Sequence, residues 1–239
     1  MAHVPETGKV TPIPQDKIDR TTRWIIHMFS GGVDCVAALY ILLTDEKYQQ
    51  HNICVHHIHL ENCQNRSLAE KRACGQLIPW FTDSFPTRTI IYNESTWSYP
   101  FEFTQGCPYD TLIVGAQAAN IVNGFNYNGF WYQHIDHVAN GQTLDDIHNP
   151  GANLRMAGRE QIYFDMLRFT GARPNYPTWL YPTAKYTKQE LINMIPADLL
   201  RLCWSCRTPI DNYTACGQCH ACVSLYKCGV DPRTMTKNV

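Results

Sequence analysis

The sequence predicts an α/β fold: a doubly wound parallel sheet with a small C-terminal zinc-binding appendage. Three observations carry this. A short apolar run, RWIIHMF at 23–29, breaks at Ser30-Gly31-Gly32 and gives way to VAALYILL, in order a strand, a tight turn and a buried helix. The alternation recurs downstream, and strands that alternate with helices pair in parallel because each crossover covers a sheet face. Six cysteines then crowd 203–228, a pattern suited to a metal clamp.

Residues 1–22 read as an irregular arm, since Pro5, Pro12 and Pro14 break any period and little apolar surface is available to bury it. The α/β domain spans 23–200. After the first strand and helix, ICVHHIHL at 53–60 reads as a second strand, and Ser67-x-x-Glu70 has the spacing of a capping box opening a helix through Phe81. RTIIY at 88–92 and DTLIV at 110–114 read as further strands. From Asn123 to Gly158 the chain is rich in Asn, Gly, His and aromatics without a sustained period, which predicts a long excursion over the sheet edge. A helix follows over Arg159–Phe169, and Thr187-x-x-Glu190 is a second capping box, opening TKQELINMI. The tail is 201–239.

A chain of 239 residues suffices for one complete core. Its formal net charge of -1 provides no basic field, which argues against direct nucleic-acid binding or an anionic membrane surface and for a small ligand. With no apolar run approaching the ~20 residues of a spanning helix, and a polar N-terminus unlike a signal peptide, the expected location is cytoplasmic. Eleven cysteines, an odd number, then fit reduced thiols and a metal site better than disulfides.

Chemistry concentrates at the two ends. After the first strand, Ser30-Gly31-Gly32 lets the backbone turn without Cβ clashes, so that successive N–H groups and the next helix N-terminus converge on an anion. Asp34 beside an anion site is repulsive unless a cation intervenes, so it reads as a magnesium-side residue or as a helix cap. Cys35 stands where such loops end in serine. A thiol is a weak donor, and the exchange should cost about 1 kcal/mol of phosphate binding. In the tail, Cys206-x9-Cys216-x2-Cys219-x2-Cys222 offers four thiolates with two C-x2-C steps, which suit a tetrahedral zinc ion, with an iron–sulfur cluster the chief rival. Cys203 and Cys228 read as buried small residues.

SGGVDC resembles the SGGxDS loop of the N-type ATP pyrophosphatases of the adenine nucleotide alpha hydrolase-like (PP-loop) fold. Combined with the cysteine spacing, it is similar to the 7-cyano-7-deazaguanine synthases of queuosine biosynthesis, as are Lys188-Gln189-Glu190 and the placing of Gln64 and Glu70 after a strand. The resemblance implies an ATP-dependent ligase. It would convert the carboxylate of 7-carboxy-7-deazaguanine to a nitrile through an acyl-adenylate and an amide, with ammonia as nitrogen donor and AMP and pyrophosphate released. It further implies that Ser30, Gly31, Gly32, Asp34 and Cys35 hold ATP with Mg2+, that Lys188 and Asp34 are catalytic, that one structural Zn2+ is held by Cys206, Cys216, Cys219 and Cys222, and that the chain is a homodimer. Phe125, Tyr127, Phe130, Trp131 and Tyr132 are candidates for a wall against the flat base. The chain departs from the family at Cys35, at SYPFEFTQGCPYD and at VGAQAANIVNGFNYN. Those departures leave open a divergent enzyme that stops at the amide, adenylates another substrate or transfers sulfur through Cys35, and a zinc protein that binds nucleotide without turnover.

Overall fold

A computed structural model describes residues 23–62, 64–98, 110–127, 134–169 and 176–235. Among the described residues five strands form one sheet: β1 (Arg23–Phe29), β2 (His51–Glu61), β3 (Ile90–Ser98), β4 (Ile135–Ala139) and β5 (Thr178–Leu180). All pair in parallel, in the order β3-β2-β1-β4-β5. The chain winds outward from β1 in one direction, then returns to lay β4 along its other edge. The β1/β4 junction is therefore a topological switch point, where the loops beyond the two strand ends diverge and leave a crevice.

The helices are α1 (Val33–Thr44), α2 (Ser67–Ser84), α3 (Asp110–Tyr127), α4 (Leu144–His148), α5 (Pro150–Phe169), α6 (Lys188–Met194), α7 (Ala197–Leu202) and α8 (His220–Lys227). Strand alternation gives each sheet face its own core. Ile25, Phe29, Ile53 and Val55 pack against α1, α2, α6 and α7, whereas Trp24, Ile26, Met28, Cys54 and Ile58 pack against α3 and α5. The first core also takes in Trp204, Cys206, Cys216, Cys222 and Leu225, so the cysteine tail is embedded in the α/β layer rather than hung from it.

Several expected elements differ. DTLIV at 110–114 is not a strand but the first turns of α3. Its buried positions, Gly115, Ala118, Ala119, Ile121 and Val122, recur three and four residues apart along one side of the helix, a period that five residues are too few to display. The stretch 123–158 is no mere excursion: it holds β4, α4 and the first half of α5. The helix expected from Arg159 begins at Pro150. Ser67 is not a cap, because α2 starts at Ser67 itself behind Arg66, and Glu70 turns to the Arg66 guanidinium, 3.4 Å away. The box at Thr187 does form, with reciprocal bonds between Thr187 and Glu190. Residues 1–22, Phe130, Trp131, Tyr132 and the side chains of Phe125 and Tyr127 lie outside the described residues.

Candidate active site

The crevice at the switch point is a cleft of about 1100 Å³. Ser30, Gly32, Asp34 and Cys35 line one side, Asn140 and Gly141 follow from the end of β4, and Lys188, Trp204 and Ser205 come from the C-terminal third. Gly31 sits at φ +74°, the left-handed conformation that glycine adopts without penalty, and a Cβ there would touch Ala73, Cys74 and Leu77 of α2. Gly32 is the N-cap of α1 and has no side chain to cap it, so the first amides of the turn take oxygens from elsewhere: the Gly32 N–H donates to Ser30 Oγ at 3.4 Å and the Val33 N–H to Ser205 Oγ at 3.3 Å. Gly141 has a different constraint: a Cβ there would lie 2.4 Å from the Asp34 carbonyl carbon. The turn after β4 thus presses directly on the first turn of α1.

Asp34, expected as a cap or a cation-side residue, is not the cap. Its carboxylate meets Lys188 Nζ at 2.6 Å, across 154 positions of sequence. Burial opposes the charge on Lys188, but the Asp34 carboxylate beside it holds its pKa above the ordinary lysine value. The Lys188 backbone N–H donates to the Asp145 carboxylate at 2.9 Å, which seats the start of α6 against α4. Cys35 is 8% exposed. Its Sγ takes the Ser30 hydroxyl at 3.3 Å and lies 3.8 Å from Asn140 Oδ1. This thiol is mostly buried, held between two polar neighbours in the cleft wall. Beneath it, His27 Nε2 reaches the Cys35 carbonyl at 2.9 Å, and burial pushes the imidazole down to about 4, so it is neutral at pH 7.

On the α2 and α3 side of the cleft, buried Arg66 pairs with both Glu70 and Asp110, and Arg207 from the tail reaches Asp110 at 2.7 Å. Burial alone would raise the Asp110 carboxyl, but the two guanidiniums outweigh it and hold it at about 2. The network fastens the starts of α2 and α3 to the tail.

The tail brings the four named cysteines together, with all four Sγ atoms within 4.8 Å of one another. Cys206 and Cys216 are 3.6 Å apart, Cys219 and Cys222 3.5 Å, and Cys216 and Cys222 4.0 Å. Four sulfurs ~2.3 Å from one tetrahedral ion stand ~3.8 Å apart, so the set fits a mononuclear site. A cluster of several irons holds its cysteines further apart. Gly217, at φ +76°, makes the knuckle turn, and the Gln218 and Cys219 amides point at Cys216 Sγ from 3.5 and 3.3 Å. Those amides and the Thr208 hydroxyl outweigh burial and draw the Cys216 thiol below its ordinary value. Cys203 stands apart: its buried Sγ faces the Leu199 carbonyl, and burial pushes it far up.

Between the two sites runs Trp204-Ser205-Cys206. The Trp204 N–H donates to the Gly31 carbonyl at 2.8 Å, and Ser205 Oγ accepts from the Val33 N–H at 3.3 Å. Cys206 is the next residue, so the sulfur cluster is tied by two backbone steps to the anion loop. The sequence reasoning missed Ser205, and no local signal marks it. Asn140 and Gly141 were missed with β4, since an Asn-Gly pair gains meaning only when it directly follows a strand.

No family model matches the chain, nor does any curated protein. Among solved structures it is similar to the U34-tRNA thiolase NcsA from Methanococcus maripaludis with its [4Fe-4S] cluster, at 17% identity and a TM-score of 0.47. The match covers 75% of this chain and 57% of that one. Among the described residues, no helix is long and apolar enough to cross a membrane.

Proposed function

We propose that this protein is an ATP-dependent, AMP-releasing ligase that activates a carboxylate, with 7-carboxy-7-deazaguanine as substrate. The observation that carries the reading is the meeting of the SGGVD loop with Lys188 and Asp34 in one switch-point cleft, as the motif resemblance requires. A carboxylate is a poor electrophile. Its oxygen attacks the α-phosphorus of ATP, the bond to pyrophosphate breaks, and AMP becomes a good leaving group on the acyl carbon. Ammonia then displaces AMP to give the amide. A second ATP adenylates the amide oxygen, and loss of AMP and protons leaves the nitrile.

The chain's residues take these roles. Backbone N–H groups of Gly31, Gly32 and Val33 cradle the phosphates, with Ser205 giving up its bond to the Val33 amide or sharing it. Asp34 holds Mg2+, which neutralises charge on the phosphates when bound. Lys188, released from Asp34, turns to the charge that develops as pyrophosphate leaves. Cys206, Cys216, Cys219 and Cys222 hold Zn2+, a closed set of four thiolates without an open position for hydrolysis, and therefore structural. The resemblance also supports a homodimer in the cytoplasm.

The test is direct. Purified protein should release pyrophosphate and AMP from ATP only when the 7-deazaguanine carboxylate is present, and product mass should distinguish nitrile from amide. ATP binding without AMP across a panel of carboxylates would sink the ligase reading and leave a nucleotide-binding zinc protein. Metal analysis should find one zinc per chain, retained in Cys203→Ala and lost in Cys219→Ala.

A further inference from the structure

The anion loop is held at every second residue by groups outside it. Trp204 and Ser205 take its middle, at the Gly31 carbonyl and the Val33 N–H. Its two ends are taken by imidazoles: His57 Nδ1 meets the Phe29 carbonyl at 2.9 Å, and His27 Nε2 meets the Cys35 carbonyl at 2.9 Å. Phe29 and Cys35 are the residues immediately before and after Ser30–Asp34. His57 is the register partner of Phe29 across β1 and β2, and His27 stands two residues earlier on β1, on the same sheet face as Phe29.

Both histidines are fully buried. Burial pushes both imidazoles down to about 4, and for His57 the ring of His59, 4.5 Å away, adds to it, so each is neutral at pH 7 with a single N–H. A carbonyl only accepts, so that N–H lies on Nε2 in His27 and on Nδ1 in His57. The other nitrogen of each ring, His27 Nδ1 and His57 Nε2, is buried with no hydrogen-bond partner among the described residues. Such unmet buried groups are uncommon and costly. An apolar side chain would fill either place without that cost, so what each histidine contributes is its one donor. Gly31 and Gly32 leave the loop conformationally free, and amides bind an anion best when already held in place.

We propose that His27 and His57 are positioning residues of the anion loop: two imidazoles in opposite tautomers clasp its ends and fix the span over which its amides can meet a phosphate. Neither is asked to touch the nucleotide. That the clasped loop takes ATP rests on the ligase reading; the clasp itself rests on the two bonds to the carbonyls.

Two measurements on the full chain test this. In the 15N-labelled protein without nucleotide, imidazole two-bond correlations, assigned by substitution, should report Nε2–H at His27 and Nδ1–H at His57. The second measurement exchanges the donors. A glutamine amide nitrogen can stand where histidine has Nε2, and an asparagine amide nitrogen where it has Nδ1. His27→Gln and His57→Asn should therefore keep the Gly31 and Gly32 amide resonances and the affinity for Mg-ATP. His27→Asn and His57→Gln should shift those resonances and weaken Mg-ATP by about fivefold or more. The same tautomer in both rings would overturn the proposal, as would a matched amide that performs no better than the mismatched one at its position, or unmoved glycine resonances in folded His27→Asn and His57→Gln. Where a variant fails to fold, the wild-type tautomers decide. Since tautomers and glycine resonances are read without nucleotide, the expected values in a protein that binds no ATP would keep the clasp and discard the ligase reading.

Discussion

The anion loop and the sulfur cluster are built on opposite plans. The loop works through its main chain: glycine at φ +74° and a helix start whose N-cap, Gly32, has no capping side chain and whose first amides are met only by the Ser30 and Ser205 hydroxyls. Its shape is imposed from outside, by α2 behind Gly31, by Gly141 against Asp34 and by Trp204 and Ser205 from the tail. The cluster works through side chains, and three of its four sulfurs come from the seven residues 216–222. A metal can therefore organise the cluster almost alone, whereas the loop needs the finished fold. The difference sets a hierarchy: the cluster fixes Trp204-Ser205-Cys206, and that segment shapes the loop.

Metal removal tests the hierarchy most severely. Stripping the ion with a chelator should lower the melting temperature by on the order of 10 °C and weaken ATP binding by about tenfold, read by scanning calorimetry and titration calorimetry. If ATP affinity survives chelation, the loop does not depend on the cluster and the comparison breaks.

Lys188→Met comes next. It should leave the four-cysteine site and its metal content untouched but slow AMP formation by about 100-fold, as loss of a charge-stabilising donor does. A stability signature accompanies it. The folded pKa of Lys188 is raised, so the stability from its pair with Asp34 is fully present below the unfolded lysine value of ~10.4 and is lost as pH rises through the folded value. The melting-temperature gap between wild type and Lys188→Met should stay flat from pH 6 to about 10 and close above it. A gap that instead closes toward acid would show that some other ionisation governs the site.

The smallest effect belongs to Cys35→Ser. Serine keeps the size and restores a good hydroxyl between Ser30 and Asn140, so ATP should bind more tightly by about 1 kcal/mol, roughly fivefold, with metal content and melting temperature unchanged. Loss of activity on this change would mean that the thiol takes part in chemistry.

Legibility in the sequence followed how local each feature is. The strand, turn and helix at 23–44 were readable because apolar runs of unambiguous length flank a glycine turn. β4 was not. It is five residues with Asp136 and His137 inside it, and Asp136 is met in the sheet by Arg23 of the adjacent β1 and by His51 of β2, one strand further away. β5 spans three residues, too few to show alternation. DTLIV misled because a β-branched run resembles a strand until the helical face over 110–127 is seen whole.

The sequence by itself determined the α/β alternation, the glycine turn and the spacing of the four cysteines, since backbone sterics and ligand spacing act between near neighbours. Tertiary structure decided the rest: which helix faces which sheet side, the meeting of Asp34 with Lys188, Ser205 on the first turn of α1, and His27 and His57 at the two ends of the anion loop. Groups far apart in the chain acquire a distance only once the strand order is set, and at this switch point the order β1 beside β4 is what turns separate residues into a site.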